Sequence, residues 1–286
     1  MKRTLVLIFS LLSLLSTQAI TKRALVIGIG DYPASSGWAK INGDKDIPMV
    51  EEMLTANGFS KANIVELKNQ QATCAAICRE FENLISKSQT GDYVYIHFSG
   101  HGQQITDVNG DEEDKFDEAW IPYDAQFAFA KGKYEGQNHI IDDQLNQYLH
   151  RIREKVGTTG KIIVVADACH SGGGSRAEEE DEEEYVIRGT SDNFVIPNPK
   201  NGTSITLFPI EWTMISACKD YQFNQEYKGN GSLTYALYQY RANFSTLSAK
   251  QIRLKVASCF KDVLRLKFTQ TPVLEVTSGK ETDIFL

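Results

Sequence analysis

Apolar residues along the chain follow two spacings, which together predict alternating strands and helices. Short apolar runs, typical of strands buried on both faces, cover residues 23–28, 64–67, 93–98, 162–166, 212–217 and 272–276. Apolar residues three and four positions apart predict helices at 46–57, 73–86, from near 142, at 232–241 and at 248–264. The alternation predicts an α/β fold, in which a mostly parallel six-stranded sheet is covered by helices on both faces in three layers.

Two polar stretches interrupt this pattern. Residues 107–124 are predicted to form a long acidic loop. Residues 172–201 contain three consecutive glycines, seven consecutive acids and two prolines, a composition typical of an exposed linker. We place the acidic linker at 176–201. It divides one domain, 20–286, into a larger part (20–175) and a smaller part (202–286).

The first residues have the pattern of an export signal. Lys2 and Arg3 precede an apolar run from Thr4 to Leu15, and small residues follow up to Ala19. The run is about as long as the core of a signal peptide and short for a membrane span, so an uncleaved anchor would need a longer one. We expect a signal peptide at 1–19, export to the periplasm or the medium, and no membrane association after its removal.

Composition excludes some partners. The net charge is −7 and seven acids lie together at 178–184, so there is no basic surplus to neutralise phosphates, and we expect no nucleic acid partner. Five cysteines, an odd and sparse set, do not form the pattern of a disulfide framework. We expect a monomer.

Two motifs stand at the carboxyl ends of predicted strands. Ser99-Gly100-His101-Gly102 ends one strand, and Asp167-Ala168-Cys169-His170-Ser171-Gly172 ends the next long one. Because parallel neighbours bring these ends together, His101 and Cys169 are predicted to face each other. An imidazolium lowers the pKa of a thiol and supplies the proton that a leaving amine needs. Either motif alone is more often structural, and the pair in this order favours catalysis.

These motifs resemble the two signature blocks of the metacaspases, within the caspase-like peptidases. Further stretches are similar to that family at 24–29, 109–118, 122–124, 141–143, 215–218 and 270–272. The resemblance implies a caspase-like fold and a cysteine endopeptidase that cuts protein or peptide substrates after Arg or Lys. It implies Cys169 as nucleophile, His101 as general acid and base, and the backbone N–H groups of Cys169 and Gly102 as oxyanion donors.

The resemblance also implies an acidic pocket for the residue before the cut. Asp167, Asp46 and Ser99 match its walls, and two carboxylates suit a guanidinium or ammonium group. Asp46 also stands where an aspartate caps a helix, and both roles stay open. Gly43 occupies a position where the family often has a second cysteine, so that wall is altered.

Calcium is the one cofactor that the resemblance suggests, and the dyad itself requires none. Asp117, Asp142 and Asp143 match three calcium ligands of the family, and hard oxygen ligands suit this ion. The fourth position falls near Arg176, which is not a ligand. The alternative is that Asp142 caps its helix and Asp117 lies at the surface.

Two arginines in the linker are candidate sites of self-cleavage. Arg188 has more slack than Arg176 and is followed by a glycine, so we predict cleavage after Arg188 with the two fragments remaining associated. The alternative is that the acidic run only solubilises a loop. For the whole chain, the alternative function is a catalytically inactive caspase-like binding module, or a non-proteolytic enzyme using the same dyad.

Overall fold

The computed structural model describes residues 19–169, 186–199 and 206–286. Residues 1–18 of the expected signal peptide, His170, Arg176 and the acidic run at 178–184 lie outside the described residues. Within the described ranges, no helix has the length and apolar character needed to cross a membrane.

The strands of the described residues are, in chain order, β1 (Lys22–Gly28), β2 (Ile64–Lys68), β3 (Tyr93–Ser99), β4 (Gly102–Thr106), β5 (Phe116–Trp120), β6 (Ile140–Ile141), β7 (Lys161–Asp167), β8 (Thr213–Ser216), β9 (Glu226–Tyr227), β10 (Asn230–Gly231) and β11 (Val273–Val276). The α-helices are α1 (Ile47–Ala56), α2 (Cys74–Lys87), α3 (Asp142–Val156), α4 (Ser232–Gln239) and α5 (Ala249–Ser258), the last followed by a π-helical turn, Cys259–Leu264.

The six predicted strands form one sheet, in the order β11-β8-β7-β3-β1-β2. Neighbours pair in parallel except β11, which is antiparallel to β8. Ser99 at the end of β3 pairs with Asp167 at the end of β7. The predicted sheet is therefore confirmed, and its two motif-bearing strands are direct neighbours ending at the same edge.

Helices cover both faces of the sheet, as predicted. In β1, Leu25 and Ile27 belong to the core under α2 and α3, whereas Ala24 and Val26 belong to the core under α1, α4 and α5. Successive side chains of a strand point to opposite faces, so a continuous apolar run contributes side chains to the cores on both faces of the sheet. This arrangement confirms the three-layer architecture.

The predicted acidic loop at 107–124 is wrong in part. It contains β5, which pairs antiparallel with β4 and β6 in a second, three-stranded sheet. The strands escaped prediction because β4 holds a single large apolar residue, Ile105, beside two glutamines. The buried amide of Gln103 is instead satisfied by His139 Nε2 and by backbone carbonyls.

The expected exposure of the linker is wrong for two of its residues. Arg188 is fully buried, and Phe194 is 1% exposed and packs against Tyr134 and His139. Near Phe194 the chain also bridges to β4 at Ile105. Apolar and acidic partners elsewhere in the fold thus hold the end of a segment whose local composition is that of a linker.

Candidate active site

The two motif residues lie at neighbouring strand ends. His101 follows β3 and Cys169 follows β7, and both are buried. Trp38 stacks on the His101 ring with 4.8 Å between ring centroids, and Tyr32 packs on it at 5.0 Å. The sheet register brings His101 and Cys169 to the same edge of the sheet, and the aromatic contacts hold the imidazole ring there.

The buried His101 imidazole is held in its neutral form. Burial, with the positive charge of Arg188 as a smaller cause, lowers its pKa to about 4, while a hydrogen bond to Ala39 opposes the shift. Its Nε2 lies 2.9 Å from the carbonyl oxygen of Ala39, which accepts only, so Nε2 carries the proton. Nδ1 therefore holds the lone pair, and it is buried with no hydrogen-bond partner among the described residues.

Cys169 contacts the linker through its backbone. Its N–H donates to the carbonyl oxygen of Arg188 at 2.7 Å, and its Sγ donates to the carbonyl oxygen of Gln222 at 2.9 Å. Gly102, the other expected oxyanion donor, is buried at the start of β4, directly after His101. A backbone donor on a carbonyl beside a nucleophile is the arrangement that stabilises a developing oxyanion.

The segment carrying Arg188 joins residues 224–226 through one antiparallel bridge, Ile187 to Gln225, in the manner of an added strand. Arg188 N–H donates to Asn224 O at 2.9 Å, and Glu226 N–H donates to Val186 O at 2.9 Å. Gly189 then passes tightly against Cys169, since a Cβ there would lie 2.5 Å from the carbonyl oxygen of Cys169. Strand addition of this kind is a common mode of peptide recognition, and it brings the Arg188–Gly189 bond to Cys169.

The Arg188 side chain fills a buried acidic pocket. Its Nη1 donates to Asp46 Oδ2 at 2.7 Å and to Ser99 Oγ at 2.5 Å. Its Nε donates to Glu226 Oε1 at 3.0 Å, and Asp167 Oδ2 lies 3.8 Å from Nη1. Burial opposes the guanidinium charge, but Asp46, Asp167 and Glu226 outweigh it and raise the pKa of Arg188.

The two expected pocket aspartates have different partners. Asp46 stands at the N-cap of α1 without a side-chain capping bond, and accepts instead from Gly231 N–H, Asn230 Nδ2 and Ser99 Oγ. Asp167 accepts from Thr234 N–H and Oγ1 and from Asn224 Nδ2. Burial raises the pKa of Asp167, and Arg188 opposes this. Of the two roles left open for Asp46, the pocket contact is the one present.

Two pocket residues were missed by sequence reasoning. Glu226 in β9 contacts the guanidinium, and Gly231 in β10 leaves room for it, because a Cβ there would lie 2.1 Å from Asp167 Oδ2 and 2.4 Å from Arg188 Nη1. Both lie on a short polar hairpin without a motif. The glycine before a predicted helix was the available signal, and Glu226 had none.

A second group of carboxylates lies at the β4–β5 hairpin, and we call Asp107, Asp111, Asp117, Asp142 and Asp143 the acidic cluster. Oxygen atoms of Asp107, Asp111 and Asp117 lie within 4.8 Å of one another. Asn109 Nδ2 donates to Asp143 Oδ2 at 2.5 Å and so joins α3 to the hairpin. The three expected ligands are thus in one region, together with two aspartates that were not singled out.

The cluster brings carboxyl groups together without a positive partner among the described residues. Among the described residues, none of its members makes an ion pair, and the Oδ1 atoms of Asp117 and Asp142 are buried without a partner. Burial, followed by neighbouring carboxylates, raises the pKa of Asp117 to about 7 and that of Asp142 to about 8. Asp142 opens α3 but the N-cap is Ile141, which has no side-chain cap. The donor set fits a hard, oxygen-preferring cation.

Comparison with known proteins gives one family. The metacaspase, peptidase C14 domain matches residues 22–175. Metacaspase-1 of Candida albicans is 26% identical over 92% of this chain and 66% of its own length, and Metacaspase-1 of Emericella nidulans is 33% identical over 53% and 36%. The chain therefore spans from about a third to two thirds of these relatives.

A solved structure has the same fold. The crystal structure of protein GSU0716 from Geobacter sulfurreducens superposes with a TM-score of 0.66 at 20% identity, covering 93% of this chain and 97% of that one. At that identity the likeness bears on the fold alone. The family match covers more than half of the chain's residues. The chain therefore belongs to the metacaspase family of C14 peptidases.

Proposed function

We propose that the chain is a cysteine endopeptidase that cuts after a basic residue, with Cys169 as nucleophile and His101 as its base. The observation that carries this is the placement of Arg188, whose side chain lies in the acidic pocket while its carbonyl oxygen accepts from Cys169 N–H. Family membership supports the reaction class, and the three carboxylates support a cationic substrate side chain.

The contacts support a specific sequence of steps. His101 Nδ1 takes the Cys169 proton after Sγ leaves Gln222 O, and the thiolate attacks the substrate carbonyl carbon. The carbonyl electron pair moves to oxygen, where Cys169 N–H holds it. Collapse breaks the C–N bond, and the imidazolium returns its proton to the leaving amine. Water then attacks the thioester while His101 takes its proton, the C–S bond breaks, and His101 returns the proton to Cys169 Sγ.

The first substrate proposed is the chain itself, at the Arg188–Gly189 bond. The bond lies against Cys169, and the flanking residues pair with 224–226 as an added strand. Cleavage would free the pocket for other substrates, and β8, within the same sheet, would keep the fragment beginning at Gly189 attached.

Fragment analysis and peptide hydrolysis test this proposal together. Wild type should yield a fragment beginning Gly189 and hydrolyse an arginyl peptide amide. Cys169→Ala and His101→Ala should stay one chain and lose more than about a thousandfold in kcat/KM. Cys78→Ala and His150→Ala, which lie away from the site, serve as matched controls. Turnover that survives in Cys169→Ala would refute the nucleophile, and no hydrolysis by wild type would favour the inactive binding module.

We also propose that calcium binds the acidic cluster. The orphaned oxygens of Asp117 and Asp142 and the missing counter-charge support a divalent cation there. A bound cation would hold the β4–β5 hairpin against α3. Since β4 begins directly after His101, the ion would steady the segment carrying the base.

A further inference from the structure

The pocket contains a contact that distinguishes the two basic side chains. Arg188 Nε donates to Glu226 Oε1 at 3.0 Å, and the Glu226 side chain is 3% exposed. In lysine the corresponding position is a methylene, which donates no hydrogen bond. The ammonium nitrogen of lysine would lie at the position of arginine Cζ, one bond short of Nη1, and would still face Asp46 and Ser99, the partners of Nη1.

Glu226 is held in place by Asn42, independently of its contact with the guanidinium. Its Oε1 accepts from Asn42 N–H at 2.7 Å and its Oε2 accepts from Asn42 Nδ2 at 2.5 Å. The carboxylate is therefore positioned before a substrate arrives and would not turn away from a methylene. A site with a fixed buried acceptor discriminates against a ligand that lacks the matching donor, because the acceptor then loses a partner without regaining water.

We propose that Glu226 makes this pocket selective for arginine over lysine. The inference rests on the proposed function, since it concerns the residue before the cut. Asp46, Ser99 and Asp167 recognise positive charge at the end of the side chain and accept either residue. Glu226 recognises the Nε–H group, which arginine alone carries.

Paired peptide amides, identical except for Arg or Lys before the cut, test the selectivity. With wild type, kcat/KM for the arginyl peptide should exceed that for the lysyl peptide by about a hundredfold or more. Glu226→Gln should reduce this ratio, and Glu226→Met should bring it to within about tenfold of one, by loss on the arginyl peptide. Asp46→Asn is the matched control, because it should weaken both substrates and leave the ratio nearly unchanged. A ratio that both Glu226 variants preserve would overturn the proposal.

A double-mutant cycle on the melting temperature measures the same contact independently of catalysis. In Cys169→Ala protein, Arg188→Lys should lower Tm by several degrees when Glu226 is present and by about one degree or less with Glu226→Met. If wild type hydrolyses neither peptide but this coupling appears, the proposed function fails and the Glu226–Nε recognition stands. Equal Tm losses in both backgrounds would remove Glu226 as the discriminating residue.

Discussion

Two groups of carboxylates in this chain share their chemistry and differ in their counter-charge. In the pocket, Asp46, Asp167 and Glu226 surround the guanidinium of Arg188. In the acidic cluster, Asp117 and Asp142 have buried oxygens without partners among the described residues. The pKa of Asp117 is raised to about 7 and that of Asp142 to about 8. Burial penalises a carboxylate in both places, and among the residues that the structure describes, a cation offsets the penalty in the pocket alone.

The two groups of carboxylates differ in the source of the positive charge that would balance them. The pocket receives its cation from the chain, on a segment that pairs with 224–226 as a peptide would. The acidic cluster has no such segment among the described residues, and the proposed calcium ion would reach it from solution. The same substitution, aspartate to asparagine, should therefore have opposite effects on the free energy of unfolding in the two regions.

The largest effect is expected in the pocket. Asp46→Asn in Cys169→Ala protein should lower the free energy of unfolding by about 3 kcal/mol, because a buried guanidinium loses a charged acceptor. Urea unfolding at neutral pH measures it. Glu113→Gln, which removes an exposed acid, is the control and should change little. A loss for Asp46→Asn no larger than the control's would mean that the Arg188 contact contributes nothing to the uncut fold.

A smaller effect of opposite sign is expected in the acidic cluster. Calcium at about a hundred times its Kd should raise the free energy of unfolding by about 2.7 kcal/mol, with Kd in the micromolar to millimolar range. Asp117→Asn should abolish this gain and, in chelator, leave the protein as stable as wild type or more so, because repulsion is relieved. Calcium titrations followed by thermal unfolding measure both, with Glu113→Gln again as control. An unaltered calcium response in Asp117→Asn would exclude that residue as a ligand.

Residues on long apolar strands were predictable from sequence. His101 and Cys169 each follow such a strand, and glycine-flanked motifs mark where the strands stop. Parallel pairing of neighbours then sufficed to bring them to one edge. Asp46 and Ser99 were predictable through the resemblance, and their contact with Arg188 gives them a physical role.

Residues on short polar elements were not predictable. Glu226 acts because a two-residue hairpin strand brings it against Asn42, which lies 184 positions away. Asp107 and Asp111 meet Asp117 because β4 and β5 pair in the register Thr106 with Phe116, which no local pattern specifies. The buried state of Arg188 likewise depends on three carboxylates contributed by distant segments, whereas its local composition predicts an exposed linker.

The smallest expected effect concerns the pH dependence of the acidic cluster. The unfolded chain loses the Asp142 proton near pH 4, whereas the folded chain holds it to about pH 8. Between these values the folded state binds more protons, so this group lowers the free energy of unfolding as pH rises. Asp142→Asn removes that contribution. A shift of this size corresponds to about 3 to 4 kcal/mol between pH 5 and pH 8. Asp142 is only partly buried, and solvent screening reduces the gain that we expect for the variant in chelator to about 1 kcal/mol.

Urea unfolding at several pH values, with chelator throughout, measures this gain. The buried histidines, whose pKa values are lowered to about 4 for His97, His101 and His139, act in the opposite direction. They are present in both proteins, so their contribution cancels in the difference. Curves that stay parallel from pH 5 to pH 8 would mean that Asp142 is already charged in the fold. The acidic cluster would then hold its charge without a cation, and its contrast with the pocket would disappear.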